Sequence, residues 1–180
     1  MKERRYRQHY RIITDVDPQT GRPREIAEYT GDYYRFPEGS RTPRVRAARL
    51  GALHALYWLF AITYLRTGRA TGRCMYALVP FMIGVVPAAY GLMGLWALYR
   101  APERMTIVQR ENGPGRLTRS ALGCSLFSTV GALGGAAFLS IRHLWASGWH
   151  EPLLANAAAA AVWTAFASAR RCYRELQSIH

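Results

Sequence analysis

Four stretches free of Asp, Glu, Lys and Arg set the strongest limit on what this chain can fold into. Their lengths are 16, 26, 22 and 18 residues, and they cover residues 50–65, 74–99, 120–141 and 152–169. A helix needs about 20 apolar residues to cross ~30 Å of hydrocarbon. The two long stretches meet this length directly, and arginines beside the two short ones can reach the headgroups. The helices of a water-soluble four-helix bundle, the alternative, would keep a polar face, which these stretches lack.

The pattern therefore predicts an all-α membrane protein with four transmembrane helices and three regions. Residues 1–48 form an arginine-rich cytoplasmic segment, residues 49–169 the transmembrane domain, and residues 170–180 a basic cytoplasmic tail. Within the middle region the spans are predicted at about 50–65, 75–99, 120–141 and 152–169, with a cytoplasmic loop at 100–119.

The distribution of basic residues predicts how the bundle is oriented. The chain has 24 Lys and Arg against 11 Asp and Glu, a net charge of +13. With four spans, both termini and the loop 100–119 share one side, which holds 20 basic residues, and the other side holds 4. The positive-inside rule places the 20 in the cytoplasm and the protein in the inner (plasma) membrane. No apolar run precedes residue 50, so we expect the first span to act as the insertion signal, without a cleaved signal peptide.

The cytoplasmic segment carries the signals of a small β-element. Alternation from Tyr6 to Val16, a turn at 17–21 and a return over 25–34 predict a β-hairpin. Two strands are marginal in water, so a third strand is expected at 105–109, followed by a turn at 111–115. Residues 37–49 are interpreted as a basic linker.

Small residues in the third span indicate close helix packing. Gly131 and Gly135 form a GxxxG pattern, which lets helix backbones approach each other. Two interpretations remain open: packing within one bundle, or the seam of a homodimer. Pro80 and Pro87 are expected to interrupt the hydrogen bonding of the second span.

Few polar groups lie inside the predicted spans. Asn156 is expected to form a hydrogen bond between helices, and His54 to be an interfacial residue or to form such a bond, with a haem or metal ligand as the weaker alternative for His54. A metal site in the outer loop, from His143, His150 and Glu151, is a weaker alternative because no spacing fixes their geometry. The three cysteines do not suggest a disulfide framework.

Catalytic signatures are missing from the sequence. It has no P-loop, GxGxxG, HExxH or GxSxG motif. Ion pumps and proton-coupled transporters usually need charged residues inside their spans, and the predicted spans contain none. We therefore expect a non-enzyme with no cofactor, no metal and no small-molecule substrate. A small transporter or channel is disfavoured.

Arginines on the predicted cytoplasmic face alternate with tyrosines. Arginine offers a planar fork to phosphate, and tyrosine can stack on bases, so this face is predicted to bind a polyanion, with structured RNA as the leading candidate. Membrane lipid headgroups also attract juxtamembrane arginines. The candidate nucleic-acid-binding residues are Arg4, Arg5, Tyr6, Arg7, Tyr10, Arg11, Arg22, Arg24, Tyr33, Arg35, Arg41, Arg44, Arg46, Arg104, Arg110, Arg116 and Arg119.

The layout resembles one family: the small, basic, multi-span bacterial membrane proteins that bind the large structured OLE RNA. Length, four uncharged stretches, arginine content and the absence of enzyme motifs form the resemblance, which involves no diagnostic motif. It implies a dimeric ribonucleoprotein anchor at the membrane. The alternative is an accessory or scaffold subunit of a larger membrane complex, whose hairpin pairs with a partner protein.

Overall fold

The computed structural model describes residues 9–16, 22–37 and 42–179, and it is mostly helical. A single turn of 3-10 helix, Thr71–Arg73, follows the first helix. The helices are α1 Pro43–Thr67, α2 Met75–Tyr99, α3 Ile107–Ile141, the short α4 Trp145–Gly148 and α5 His150–Arg174.

The four long helices alternate in direction, which gives the bundle two distinct ends. The start of α1, the end of α2, the start of α3 and the end of α5 meet at one end, where Leu50, Leu98, Leu117 and Cys172 share a buried cluster. We call this the arginine end. The other end contains the 3-10 turn and α4, and we call it the loop end.

Within the described residues, three helices are long and apolar enough to cross a membrane: α2, α3 and α5. By length and composition, three of the four predicted spans are therefore suitable for crossing a membrane. The first predicted stretch does form a helix, α1, but α1 does not reach that apolarity. Arg49 and Arg66 bracket only 16 uncharged residues, and these include the polar His54.

Several helix boundaries differ from the prediction. Helix α1 begins at Pro43, because Thr42 accepts a hydrogen bond from the Val45 N–H and proline fits the first helical position. Most of the predicted linker 37–49 is therefore helix. The predicted tail 170–180 also contains regular structure, since α5 continues to Arg174 and the strand Gln177–Ile179 follows it.

The predicted hairpin is present. Strand β1 (Tyr10–Val16) pairs antiparallel with β2 (Pro23–Tyr29), with Tyr10 opposite Tyr29 and Val16 opposite Pro23. Its predicted turn, 17–21, lies outside the described residues. The returning strand ends at Tyr29 and not at residue 34. Residues 33–35 instead form a separate strand, β3 (Tyr33–Arg35), which pairs antiparallel with β4 (Gln177–Ile179).

The predicted third strand at 105–109 is wrong beyond its first residue. Met105 forms one bridge to Tyr34, with two backbone hydrogen bonds of 2.8 Å. Helix α3 then begins, because Thr106 and Gln109 form a capping box: each side chain bonds to the other residue's backbone N–H. The predicted turn at 111–115 is a wider, π-helical turn within α3. The expected β pairing between the N-terminal segment and the middle loop is therefore limited to this single bridge.

The bundle has many small side chains inside and large apolar side chains outside. Its interior is rich in alanine, serine, glycine and cysteine around a few large residues such as Tyr57 and Phe81, whereas large apolar side chains are exposed on every long helix. Examples of the exposed set are Leu59, Val86, Leu133 and Leu153. In water such a surface would be unfavourable, but lipid tails are as apolar as leucine, so membrane helices associate through close packing of small residues.

Gly131 and Gly135 pack within one chain. A Cβ on Gly131 would lie 2.9 Å from the Phe81 Cβ and 3.0 Å from the Ala77 carbonyl oxygen of α2. A Cβ on Gly135 would contact the Thr71 side chain at 3.4 Å. Both glycines are buried, which favours the interpretation of packing inside a bundle over that of a dimer seam.

Both polar residues singled out in the spans, His54 and Asn156, form hydrogen bonds to backbone carbonyl groups. His54 Nε2 bonds to the Ala88 carbonyl oxygen at 2.8 Å, which confirms the expected bond between helices. Asn156 does not form one, since it donates to Pro152 O one turn earlier in α5. Helix α2 continues through both Pro80 and Pro87.

At the loop end, a buried carboxylate ties α5 to the connection between α1 and α2. Glu151 is 2% exposed and accepts hydrogen bonds from the Ala70 N–H, the Thr71 N–H and the Thr71 hydroxyl at 2.9, 2.7 and 2.7 Å. Tyr64 donates to the same hydroxyl at 3.0 Å. The alternative metal site is contradicted: the described residues contain no group of His, Cys, Asp and Glu that could hold an ion.

We predict that Gly131→Leu destabilises the fold by about 1–3 kcal/mol, because its side chain would overlap the backbone of α2. Thermal unfolding in detergent measures this. Gly72→Leu is the matched control, since a Cβ there has open space around it. A Gly131→Leu protein with unchanged stability but without its dimer would assign the glycine to a seam between chains.

We also predict that Glu151→Ala costs about 1–3 kcal/mol, since it leaves buried donors of residues 70 and 71 without an acceptor. Glu103→Ala, at an exposed position, should unfold at the temperature of the unmodified protein. Equal melting curves for the two variants would show that the carboxylate does not hold the loop end.

Candidate nucleic-acid interface

Part of the predicted interface lies outside the described residues. This applies to Arg4, Arg5, Tyr6, Arg7 and Arg41, and to the side chain of Arg24. The Arg24 backbone lies in β2 opposite Asp15. The remaining candidates separate into those exposed to solvent and those used inside the fold.

On the hairpin, Arg11 and Arg22 are exposed. Arg11 lies in β1 opposite Glu28 of β2, so a carboxylate is close to this arginine along the strand pair. The two candidate tyrosines that the structure describes, Tyr10 and Tyr33, contact Tyr29. Their rings pack edge-on against the Tyr29 ring, with centroid distances of 5.2 and 5.1 Å. Both remain more than a third exposed, so each presents only part of its ring for stacking on a base.

Tyr29 fixes the hairpin to the start of α3. Its hydroxyl donates to Asp32 O at 2.8 Å and accepts from the Ile107 N–H at 3.2 Å. Partial burial raises the pKa of Tyr29 above its ordinary value, and the hydrogen bond from Ile107 opposes that rise. A Cβ on Gly31 would lie 2.8 Å from the Tyr29 hydroxyl, so a larger residue there would displace this side chain. The sequence did not predict that Tyr29 would anchor the hairpin.

Two predicted phosphate ligands are structural. Arg110 lies between the rings of Tyr34 and Tyr173, 4.4 Å from each centroid. Arg46 forms an ion pair with Glu175 and lies over the Phe36 ring at 4.2 Å. These contacts connect the N-terminal segment, α1, α3 and the end of α5, and they use the arginine faces that would otherwise stack on a base.

Two further candidates are partly engaged. Arg119 forms an ion pair with Glu111 at 2.9 Å, yet its side chain remains 59% exposed. Arg116 donates to Asn112 at 3.1 Å and lies over the Tyr90 ring at 4.8 Å. An exposed ion pair of this kind contributes little to stability, so Arg119 could exchange its carboxylate for a phosphate at low cost.

Arg44 at the start of α1 and Arg104 in the connection between α2 and α3 are exposed, whereas Arg35 in β3 is half-buried. The structure thus places all of the described candidates at the arginine end or on the hairpin attached to it. It divides them between solvent and internal contacts, a division that the sequence does not reveal.

The structure adds a cationic groove at the end of α5. Arg170, Arg171 and Arg174 are exposed there and, with Phe166 and Glu175, line a depression of about 390 Å³. Sequence analysis did not include these arginines among its candidates. The signal was available, because positions 170 and 174 are one helical turn apart and fall on one face.

The exposed arginines give this end of the protein a positive electrostatic potential. No family model matches this chain, and no curated protein or solved structure matches it.

Proposed function

We propose that the protein is a non-catalytic integral membrane protein whose arginine end faces the cytoplasm and binds a polyanion, with structured RNA as the leading candidate. The carrying observation is the concentration of exposed arginines at one end of the bundle, including Arg44, Arg104 and the trio at the end of α5. Arginine neutralises phosphate and binds it in a bidentate way. A membrane anchor of this kind would hold its RNA at the inner surface.

This proposal includes α1 as a fourth span. Leu56, Leu59 and Ile62 are 40–60% exposed on its outer face, beside the apolar outer surfaces of the other helices. Its polar His54 points inward and is bonded to α2, so burial in lipid would leave no charge uncompensated. Arg49 and Arg66 lie at the two ends of the stretch and can extend to the headgroups.

The scaffold alternative has support from the hairpin. Ile12 and Val16 are 68% and 60% exposed on β1, and Ile26 is 41% exposed on β2. A two-stranded hairpin with apolar side chains in solvent suits pairing with a partner protein. This observation favours a protein contact without explaining the arginines.

Orientation can be tested with introduced cysteines, because the three native cysteines are buried. We expect a membrane-impermeant maleimide to label Gly72→Cys in intact cells, and to label Arg22→Cys and Glu103→Cys only after permeabilisation. All three positions are exposed. Labelling of positions 22 and 72 from the same side would show that α1 does not cross the membrane. A reversal of all three would place the arginine end outside.

RNA binding can be tested with purified full-length protein in detergent and bulk transfer RNA as the probe. Replacing Arg170, Arg171 and Arg174 with glutamine should weaken binding, and the slope of log affinity against log salt should fall by about 0.7–0.9 for each phosphate that is no longer neutralised. Arg66, Arg69 and Arg73, replaced in the same way, are the matched control at the loop end, with an equal reduction in charge. This control should retain most of the affinity.

Lysine at the same three positions distinguishes plain charge from arginine-specific contacts, since lysine lacks the bidentate fork and the stacking plane. Full recovery with lysine would indicate a general electrostatic surface. Equal reductions of affinity in both glutamine triple variants, or no RNA affinity at all, would overturn the proposal.

The scaffold alternative has its own test. Co-purification of a stoichiometric protein that no longer binds after Ile12→Lys would support this alternative in place of RNA binding.

A further inference from the structure

An apolar cleft opens between α1 and α2 close to the arginine end. Ala47, Ala48 and Gly51 form the α1 wall, while Leu92, Leu95 and Trp96 form the α2 wall. Its volume is about 410 Å³, within the ~300–1,000 Å³ typical of small-molecule pockets. Small side chains on the α1 side create this space: a Cβ on Gly51 would already lie 3.3 Å from a Leu95 methyl group.

The mouth of this cleft is cationic. Arg44 lies one turn before Ala48 on the same face of α1, and Arg100, the C-cap residue of α2, lies four positions after Trp96. Both arginines are exposed, and the Arg100 guanidinium lies 4.3 Å from the centroid of the Trp96 ring. Since α1 and α2 run in opposite directions, both arginines lie at the same end of the cleft, near its lining residues in the chain.

The start of α1 adds to this positive potential. Helix α1 has 25 residues, and no acidic residue lies in its first turn, so its N-terminal partial charge is not neutralised by a side chain of that turn. Tyr99, which also lines the cleft, stacks with Trp96 at a centroid distance of 6.1 Å. Aromatic pairs of this kind are enriched at the level of lipid headgroups.

We propose that this cleft is a binding site for one anionic phospholipid, with an acyl chain between α1 and α2 and the phosphate on Arg44 and Arg100. Charge complementarity and the apolar walls identify the occupant: a free phosphate would leave the walls uncovered, and a neutral lipid would not use the arginines. The inference rests on the insertion of α1 into the membrane, but not on RNA binding. The cysteine labelling described above tests insertion separately.

The test uses native mass spectrometry of the purified full-length protein with phosphatidylglycerol or phosphatidylcholine of the same acyl chains. We expect the unmodified protein to retain phosphatidylglycerol roughly tenfold better. The double variant Arg44→Gln/Arg100→Gln should lose this preference. Arg69→Gln/Arg73→Gln, at two exposed positions of the loop end and with the same reduction in charge, should keep it.

A second variant examines the walls without altering charge. Gly51→Leu fills the cleft, so retention of both lipids should fall, while Gly72→Leu, in open space, should leave retention unchanged. Melting curves show whether Gly51→Leu folds. If it does not fold, the proposal is decided by the lipid preference of Arg44→Gln/Arg100→Gln alone. Equal retention of the two lipids by the unmodified protein overturns the proposal. Unaltered lipid retention in Gly51→Leu with loss of a dimer also overturns it, and assigns the cleft to a second copy of the chain.

Discussion

The close approach of α2 and α3 is the contact on which the rest of the bundle depends. At Gly131 and Gly134 of α3, a Cβ would lie 3.0 and 2.8 Å from carbonyl oxygens of α2. Backbones this close gain dispersion attraction and weak C–H···O contacts. These interactions hold helices together in lipid, where there is no hydrophobic driving force for helix association. Gly84 and Gly94 of α2 repeat the pattern towards the arginine end, so the seam extends along most of both helices.

The two ends of the bundle are closed by different chemistry. At the loop end, one buried carboxylate, Glu151, satisfies the donors of the connection that follows α1. At the arginine end, guanidinium groups stack on aromatic rings: Arg110 lies between Tyr34 and Tyr173, and Arg46 lies over Phe36. These contacts bring the N-terminal segment and the end of α5 together, so the cytoplasmic part of the proposed topology is continuous with the helices.

This arrangement gives the arginines two separate uses. Those inside the aromatic contacts stabilise the fold, whereas those left in solvent, such as Arg104 and Arg171, supply the positive potential on which the proposed polyanion binding depends. Arginine suits both uses, because its weakly hydrated plane stacks on rings while its charge persists at any physiological pH. The arginine-rich composition is therefore only partly a measure of binding capacity.

The sequence by itself determined the helices, the hairpin and the distribution of charge. An uncharged stretch of 22–26 residues has few stable structures other than a helix, and a hairpin needs only local alternation of side chains. It also contained signals that were missed, such as the capping box at Thr106 and Gln109 and the cap at Thr42. Only the tertiary structure decided which arginines are internal and which glycines meet α2. Those outcomes depend on residues far apart in the chain, as Tyr34 and Tyr173 are around Arg110, and no local pattern specifies such distances.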